Sequence, residues 1–186
     1  MDKHLSWKPH IDYINTKLAK AIGIMSKIRY NIPKYLLNSI YYAFFQPHID
    51  YNILNWGCAT KHNTHPIEMS QKKIARIMTF SDYDAHTNVI FKNLKILDLD
   101  KQIQLNQGKL IWKAKQNQLP KPISAIFNKT TASGRITTNI TCRTNYKERF
   151  LTNTCQENWK LIPEEIKNKN TLHLFSKHYK ELLIVS

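Results

Sequence analysis

Cys58, His62 and His65 have the spacing C-x3-H-x2-H, which places one thiol and two imidazoles close enough to bind a metal ion. A structural zinc site needs a fourth ligand and usually a knuckle of paired ligands, and the neighbouring sequence provides neither. We therefore interpret these three as polar residues of a loop and expect no metal site. Cys142 and Cys155 have no histidine nearby, so the three widely spaced cysteines are interpreted as reduced thiols.

Two pairs of carboxylates are the other candidates for chemistry. Asp82 and Asp84 fall in a predicted interhelical loop, and Glu164 and Glu165 follow Pro163 at the start of a predicted helix. A two-metal site needs carboxylates that converge on metal ions about 4 Å apart from rigid elements, and acidic residues in a first helical turn favour the helix dipole. Both pairs are interpreted as structural. With no phosphate-binding glycine loop, GxSxG or HExxH, the motifs predict no catalytic residue and no cofactor.

The charge balance predicts a polyanionic partner. Lys and Arg number 28 against 13 Asp and Glu, which gives a formal net charge of +15. Nucleic acid and an anionic membrane surface both attract such a chain. The alternative is a basic surface that serves solubility or reflects AT-rich codon usage, since Lys, Asn and Ile are abundant. No apolar run is long enough to span a bilayer and the N-terminus lacks a signal sequence, so we expect an intracellular chain without membrane contact.

Hydrophobic periodicity predicts mainly α-helical structure. A first helix, capped by Ser6 with Pro9 in its first turn, runs through "HIDYINTKLAKAIGIMSKIR". A second begins at Pro33, is apolar on nearly all sides and is therefore expected to be central. We expect Pro47 to kink or divide it and Gly57 to end it after Trp56.

A third helix is predicted after Pro66, with Lys72, Lys73 and Arg76 on a basic edge. A short helix after Thr87 and a longer one over about 99–116 follow. The prolines of "QLPKPI" predict a junction, so the helical bundle is assigned to 1–119 and a C-terminal segment to 120–186. That segment begins with a Thr- and Asn-rich loop or weak β-hairpin and closes with helices.

The chain also resembles a known family in ordered blocks of sequence. "HLSWKPHIDYINTKLAKAIGIMSKIRYNIPKYLLNSIYYAFFQPHIDYNILNWG", "QKKIARIMT", "AHTNVIFKNLKILDLD", "CRTNYKERF", "NWKLIPEEIKN" and "LFSKHYKELL" are similar, in order and approximate spacing, to the region after the palm in reverse transcriptases of jockey-type non-LTR retrotransposons. The resemblance covers essentially the whole chain. It implies the C-terminal thumb and post-thumb region of an RNA-directed DNA polymerase, without the endonuclease, fingers or palm.

This resemblance implies a binding function without catalysis. The paired catalytic aspartates of such enzymes lie upstream, and no residue here matches them. In related polymerases the thumb is a helical unit that grips the template–primer duplex, so the resemblance implies a thumb-like bundle that contacts phosphates. The residues expected to do so are Lys17, Lys20, Lys27, Arg29, Lys72, Lys73 and Arg76. Trp7 and Trp56 are interpreted as core residues, with stacking on bases as the alternative.

Three other interpretations stay open at this stage. The chain could be a complete enzyme with an unrecognised site at Asp82 and Asp84, a protein-interaction module, or a remnant of a decayed element. The absent palm and fingers would be a natural partner of such a piece. We expect the apolar surface that the first helix and Trp7 would turn toward the palm to be exposed, which favours self-association.

Overall fold

The structure, a computed structural model, describes residues 6–127 and 150–185. The fold is mainly α-helical, as predicted, and the described residues include no β-strand. The loop or weak hairpin expected within "NKTTASGRITTNITCRTN" lies outside the described residues, as does Cys142. The chain divides into two compact units, residues 1–100 and 101–186. The junction expected at 119–120 therefore falls inside the second unit.

The first unit is built from six α-helices and one π-helical turn in its described residues. Their bounds are α1 (Lys8–Ile28), α2 (Lys34–Ile40), the π turn (Tyr41–Phe45), α3 (Gln46–Asp50), α4 (Ile53–Trp56), α5 (Lys61–Thr79) and α6 (Thr87–Leu94). The apolar stripe of α1 faces the core, as its three- and four-residue spacing predicts. Its buried residues are Ile11, Ile14, Leu18, Ile22 and Met25.

The start of α1 differs slightly from the prediction. Trp7 occupies the cap position with a positive φ of 58°, and the Ser6 hydroxyl accepts a hydrogen bond from the Lys8 N–H at 3.3 Å. Ser6 therefore lies one residue before the cap. Pro9 falls in the first turn, where its missing N–H leaves no intrahelical bond unmade.

Pro47 does not divide the second helix in two, because the helix widens just before it. The Gln46 N–H bonds to the Tyr41 carbonyl, five residues back, and helical backbone continues from Lys34 to Asp50. A proline ring clashes with the carbonyl four residues back in a regular α-helix, and a π turn relieves that clash. The break comes instead at Asn52, whose φ is 56°, and α4 then ends at Trp56 as predicted.

The expectation that this second helix is central is wrong. Leu37, Tyr41, Phe45 and Ile49 are buried, whereas the opposite side is open, with Tyr35 75% and Phe44 61% exposed. A helix with apolar residues on every side is fully buried only when other elements cover all of its sides. Within this unit, other elements cover only one side of this helix. Exposed apolar surface is thus present in the first unit, both on this helix and on α1, where Tyr13 and Ile24 are exposed, while Trp7 is half-buried.

The third predicted helix, α5, starts five residues before Pro66. Pro66 leaves the carbonyl of His62 without its helical donor. His62 and Pro66 are both exposed, so solvent satisfies that carbonyl and the helix tolerates the proline. His62 and His65 are therefore helical residues rather than loop residues.

The second unit packs long helices around an aromatic core. Its helices are α7 (Leu99–Lys115), α8 (Lys121–Phe127), α9 (Leu151–Leu161), α10 (Glu164–Lys167) and α11 (Leu172–Val185), with α7 beginning two residues before the boundary between the units. Phe175 stacks between Trp112 and Trp159, with ring centroids at 6.1 and 5.9 Å. Because α7 shares this core with α9 and α11, it belongs mainly to the C-terminal unit.

None of the described helices is both long enough and apolar enough to cross a bilayer.

Candidate nucleic-acid interface

The predicted basic residues lie mostly on α1 and α5, which pack side by side in the first unit. Three contacts show that the helices run parallel, because their residue numbers rise together. These contacts are Asn63 Nδ2 to the Ser6 carbonyl (3.0 Å), Ser70 Oγ to Asn15 Oδ1 (2.7 Å), and the Tyr30 and Phe80 rings (5.5 Å between centroids). The basic residues of both helices are thereby held on one rigid pair.

Three lysines of this pair point away from the core. At 100° per residue, Lys20 lies opposite the buried Leu18 and Ile22, and Lys27 lies on the same outer side. Lys73 takes the equivalent outer side of α5. All three are exposed, and none forms an ion pair within the described part of the chain. We call Lys20, Lys27 and Lys73 the outer lysine face.

Two other predicted residues on α5 are engaged by their own unit. Lys72 forms an ion pair with Glu68, one helical turn back, and the hydrogen bond from Lys72 holds the pKa of Glu68 below its usual range. Arg76 Nε donates to the Ala85 carbonyl at 3.2 Å, and its guanidinium lies 5.7 Å from the Tyr83 ring centre. These two side chains brace the end of α5 and are less available to a phosphate.

Lys17 and Arg29 on α1 both lie against aromatic rings. The Lys17 ammonium is 5.2 Å from the centre of the Tyr13 ring, one turn away. The Arg29 guanidinium is 4.5 Å from the Tyr30 ring centre and 5.2 Å from that of Phe80. Lys34, which the sequence reasoning missed, also lies 5.2 Å from the Phe80 ring centre. The contacts of Arg29 and Lys34 with Phe80 depend on how the end of α1 and the start of α2 pack against the end of α5, so no local sequence pattern could have indicated them.

Neither tryptophan of the first unit is an open stacking surface. Trp56 is fully buried, and its indole N–H donates to the Tyr51 carbonyl at 2.8 Å. Trp7 is half-buried and meets the His10 ring edge-on, with centroids 6.2 Å apart. Trp56 therefore has the core role predicted for it, and Trp7 packs at the start of α1.

The residues considered for metal or acid–base chemistry do not converge. Cys58 donates to the Leu54 carbonyl at 3.3 Å, and His65 lies 3.6 Å from Glu68. Asp82 and Asp84 are exposed in the turn between α5 and α6. Within residues 6–127 and 150–185, no three His, Cys, Asp or Glu side chains are grouped so that they could hold a metal ion.

Comparison with known proteins gives no match to any protein-family model, curated protein or solved structure.

Proposed function

We propose that this chain is a nucleic-acid-binding piece of an RNA-directed DNA polymerase of the jockey-type retrotransposon class, one that holds the template–primer duplex and performs no bond formation itself. The observation that carries the proposal is the outer lysine face. It presents three exposed ammonium groups from two parallel helices, and the described residues offer them no competing carboxylate. Cations fixed on rigid helices contact phosphates without reading the base sequence.

The composition of the whole chain supports the same proposal. A formal charge of +15 on 186 residues draws any polyanion toward the protein and gives its affinity a steep salt dependence. Intracellular location and a separate palm and fingers domain as partner belong to the proposal as well.

Binding of a labelled RNA–DNA duplex, measured by fluorescence anisotropy over a range of salt concentrations, tests this function. Replacing Lys20, Lys27 and Lys73 together by Gln removes three phosphate contacts. We expect the slope of log affinity against log salt to become shallower by about two to three units, with unrelated duplex sequences weakened equally.

The matched control removes the same charge elsewhere. Lys95, Lys121 and Lys177 are exposed lysines outside the outer lysine face, and their replacement by Gln should change the slope by about one unit or less. If both triple variants lose the same duplex affinity, binding depends on net charge alone. The role proposed for the outer lysine face is then wrong. Absence of duplex binding by the unaltered chain would contradict the proposed function itself.

A protein-interaction module is the second candidate, and the open side of the Lys34–Asp50 helix favours it. Tyr35, Phe44 and the adjacent Tyr51 present exposed aromatic rings there. Several exposed aromatic rings on one segment are typical of a contact with another protein. Association with a protein partner that does not change with salt concentration, together with no binding of the duplex, would support this candidate over the first.

A further inference from the structure

The ends of α1 and α5 carry a second, smaller cationic site, formed by Arg29, Tyr30, Lys34 and Phe80. We infer that this site binds one nucleotide of an unpaired strand, with its phosphate on Arg29 and Lys34 and its base stacked on Tyr30. The inference rests on the proposed nucleic-acid function and names a subsite and a ligand class within it.

Two positive charges converge on one aromatic ring at this site. The Arg29 guanidinium and the Lys34 ammonium each lie 5.2 Å from the centre of the Phe80 ring, so they are at most twice that distance apart. No ion pair among the described residues includes either group. A phosphate that contacts both groups would supply the counter-charge that no carboxylate of the described residues provides.

Arg29 also retains hydrogen-bonding capacity. Its Nη2 donates to the Tyr30 hydroxyl, and its Nε is buried without an acceptor among the described residues, so a phosphate would meet the guanidinium at its two outer nitrogens. The guanidinium fork suits a phosphate, since it offers several donors in one plane.

Tyr30 supplies an open ring surface next to these charges. Its ring meets Phe80 at 66°, Arg29 lies over one of its faces, and the side chain is 70% exposed. A ring fixed on one face and exposed on the other is a stacking surface for a base, and stacking tolerates any base because each has a π face. An unpaired base can reach such a ring, whereas a base within a duplex is already stacked.

The test compares a blunt duplex with the same duplex carrying a short unpaired extension, using the full chain and fluorescence anisotropy. We expect the unaltered protein to prefer the extended duplex by about tenfold, the size that one stacked base provides. Tyr30→Ala should abolish this preference, and Tyr30→Phe should retain it because the ring remains. Arg29→Gln combined with Lys34→Gln should also remove the preference.

The controls separate this site from the proposed function. Replacing Lys20, Lys27 and Lys73 by Gln should weaken both substrates equally and leave the preference intact. If the chain binds duplex but Tyr30→Ala keeps the full preference, or none exists, the nucleotide subsite is wrong while the proposed function stands. If neither substrate binds, both fail. Because the Tyr30 ring packs against Phe80, thermal unfolding of Tyr30→Ala is measured as well, and both proteins are compared at a temperature at which each is folded.

Discussion

Two buried side-chain amides, one in each unit, differ in how completely their hydrogen bonds are made. In the first unit, Gln71 Nε2 donates to the Tyr41 hydroxyl (3.2 Å) and the Leu97 carbonyl (2.8 Å), but its Oε1 is buried without a partner among the described residues. In the second unit, Asn158 is satisfied at both ends of its amide. Its Nδ2 donates to the Gln104 carbonyl at 2.7 Å, and its Oδ1 accepts from the Tyr179 hydroxyl at 2.7 Å.

The hydrogen bonds of Asn158 continue into a buried polar chain. Gln107 Oε1 lies 3.5 Å from Asn158 Nδ2, and Gln107 Nε2 donates to the Thr154 hydroxyl at 3.1 Å. A fully paired network resists disruption, because removing one member leaves several others desolvated and unpaired. The comparison teaches that two buried amides contribute differently to the free energy of unfolding, according to how many hydrogen-bond partners depend on each.

Replacing Asn158 by Leu should produce the largest effect. It leaves the Tyr179 hydroxyl and the Gln107 carbonyl oxygen buried without partners, and we expect it to destabilise the second unit by about 3 kcal/mol. Gln71→Met in the first unit should cost only about 1.5 kcal/mol, since it also removes an oxygen that had no partner. Hydrogen exchange, measured separately on α9 and α5, gives each value. Equal losses would contradict the comparison.

A second pair of substitutions compares close packing with open space. A Cβ on Gly108 would lie 2.7 Å from Tyr179 Cε1, whereas a Cβ on Gly23 has no atom within 4 Å. Tyr179 is held by Asn158 and yields little. We expect Gly108→Ala to lose about 2 kcal/mol of stability, the overpacking cost less the gain in helix propensity.

Gly23→Ala is the matched control, because it brings the same gain in helix propensity without a clash. It should stabilise the first unit by about 0.5–1 kcal/mol. Urea unfolding followed by circular dichroism measures both variants. A stabilising Gly108→Ala would show that Tyr179 moves freely and that the polar chain is loosely held.

A further predicted effect is a dependence of stability on alkaline pH. Burial, partly offset by the hydrogen bond to Asn158, raises the pKa of Tyr179 to about 12 from its ordinary 10.0. The folded state therefore binds the proton more tightly than the unfolded state. The stabilisation is complete below pH 10 and is lost as pH rises toward 12. At pH 11 the loss is about 1.4 kcal/mol.

Tyr179→Phe isolates this contribution from the titration of the many lysines. The difference in unfolding free energy between the unaltered chain and Tyr179→Phe, measured by urea unfolding from pH 9 to pH 11, should shrink by about 1.4 kcal/mol. A difference that is constant with pH would place the hydroxyl in contact with solvent.

Hydrophobic periodicity predicted the helices well where neighbouring residues alone determine the position of a helix. The stripe of α1 and the bounds of α7 were predicted closely, because 3.6-residue periodicity depends only on neighbouring residues. The start of α5 was missed, since a proline normally marks a first turn and solvent exposure at His62 decides whether the helix extends beyond it. The open side of the Lys34–Asp50 helix was missed because hydrophobicity does not specify whether a covering element exists.

The contacts of the candidate site also fall into two groups, those that local sequence indicates and those that depend on tertiary packing. Glu68, four residues before Lys72, is a local signal that Lys72 is engaged, and it could have been used. The contact of Arg76 with Ala85 and the convergence of Arg29 and Lys34 on Phe80 depend on how distant segments pack, so sequence alone did not indicate them. Of the seven predicted residues, the structure distinguishes three open lysines from four that contact their own unit.

The π turn before Pro47 links the length of its helix to the presence of the proline. Leu37, Tyr41, Phe45 and Ile49 are spaced by four residues, and in a regular α-helix each step would rotate by about 40°, carrying Ile49 away from the core. The wider turn reverses that drift and keeps all four on one side. A π turn is in effect one inserted residue, so deleting Ala43 would restore three- and four-residue spacing. The deletion would also return Pro47 to a regular helix, where its ring meets the carbonyl four residues back. We therefore expect the deletion of Ala43 to be tolerated together with Pro47→Ala, and to disrupt the helix when Pro47 is kept.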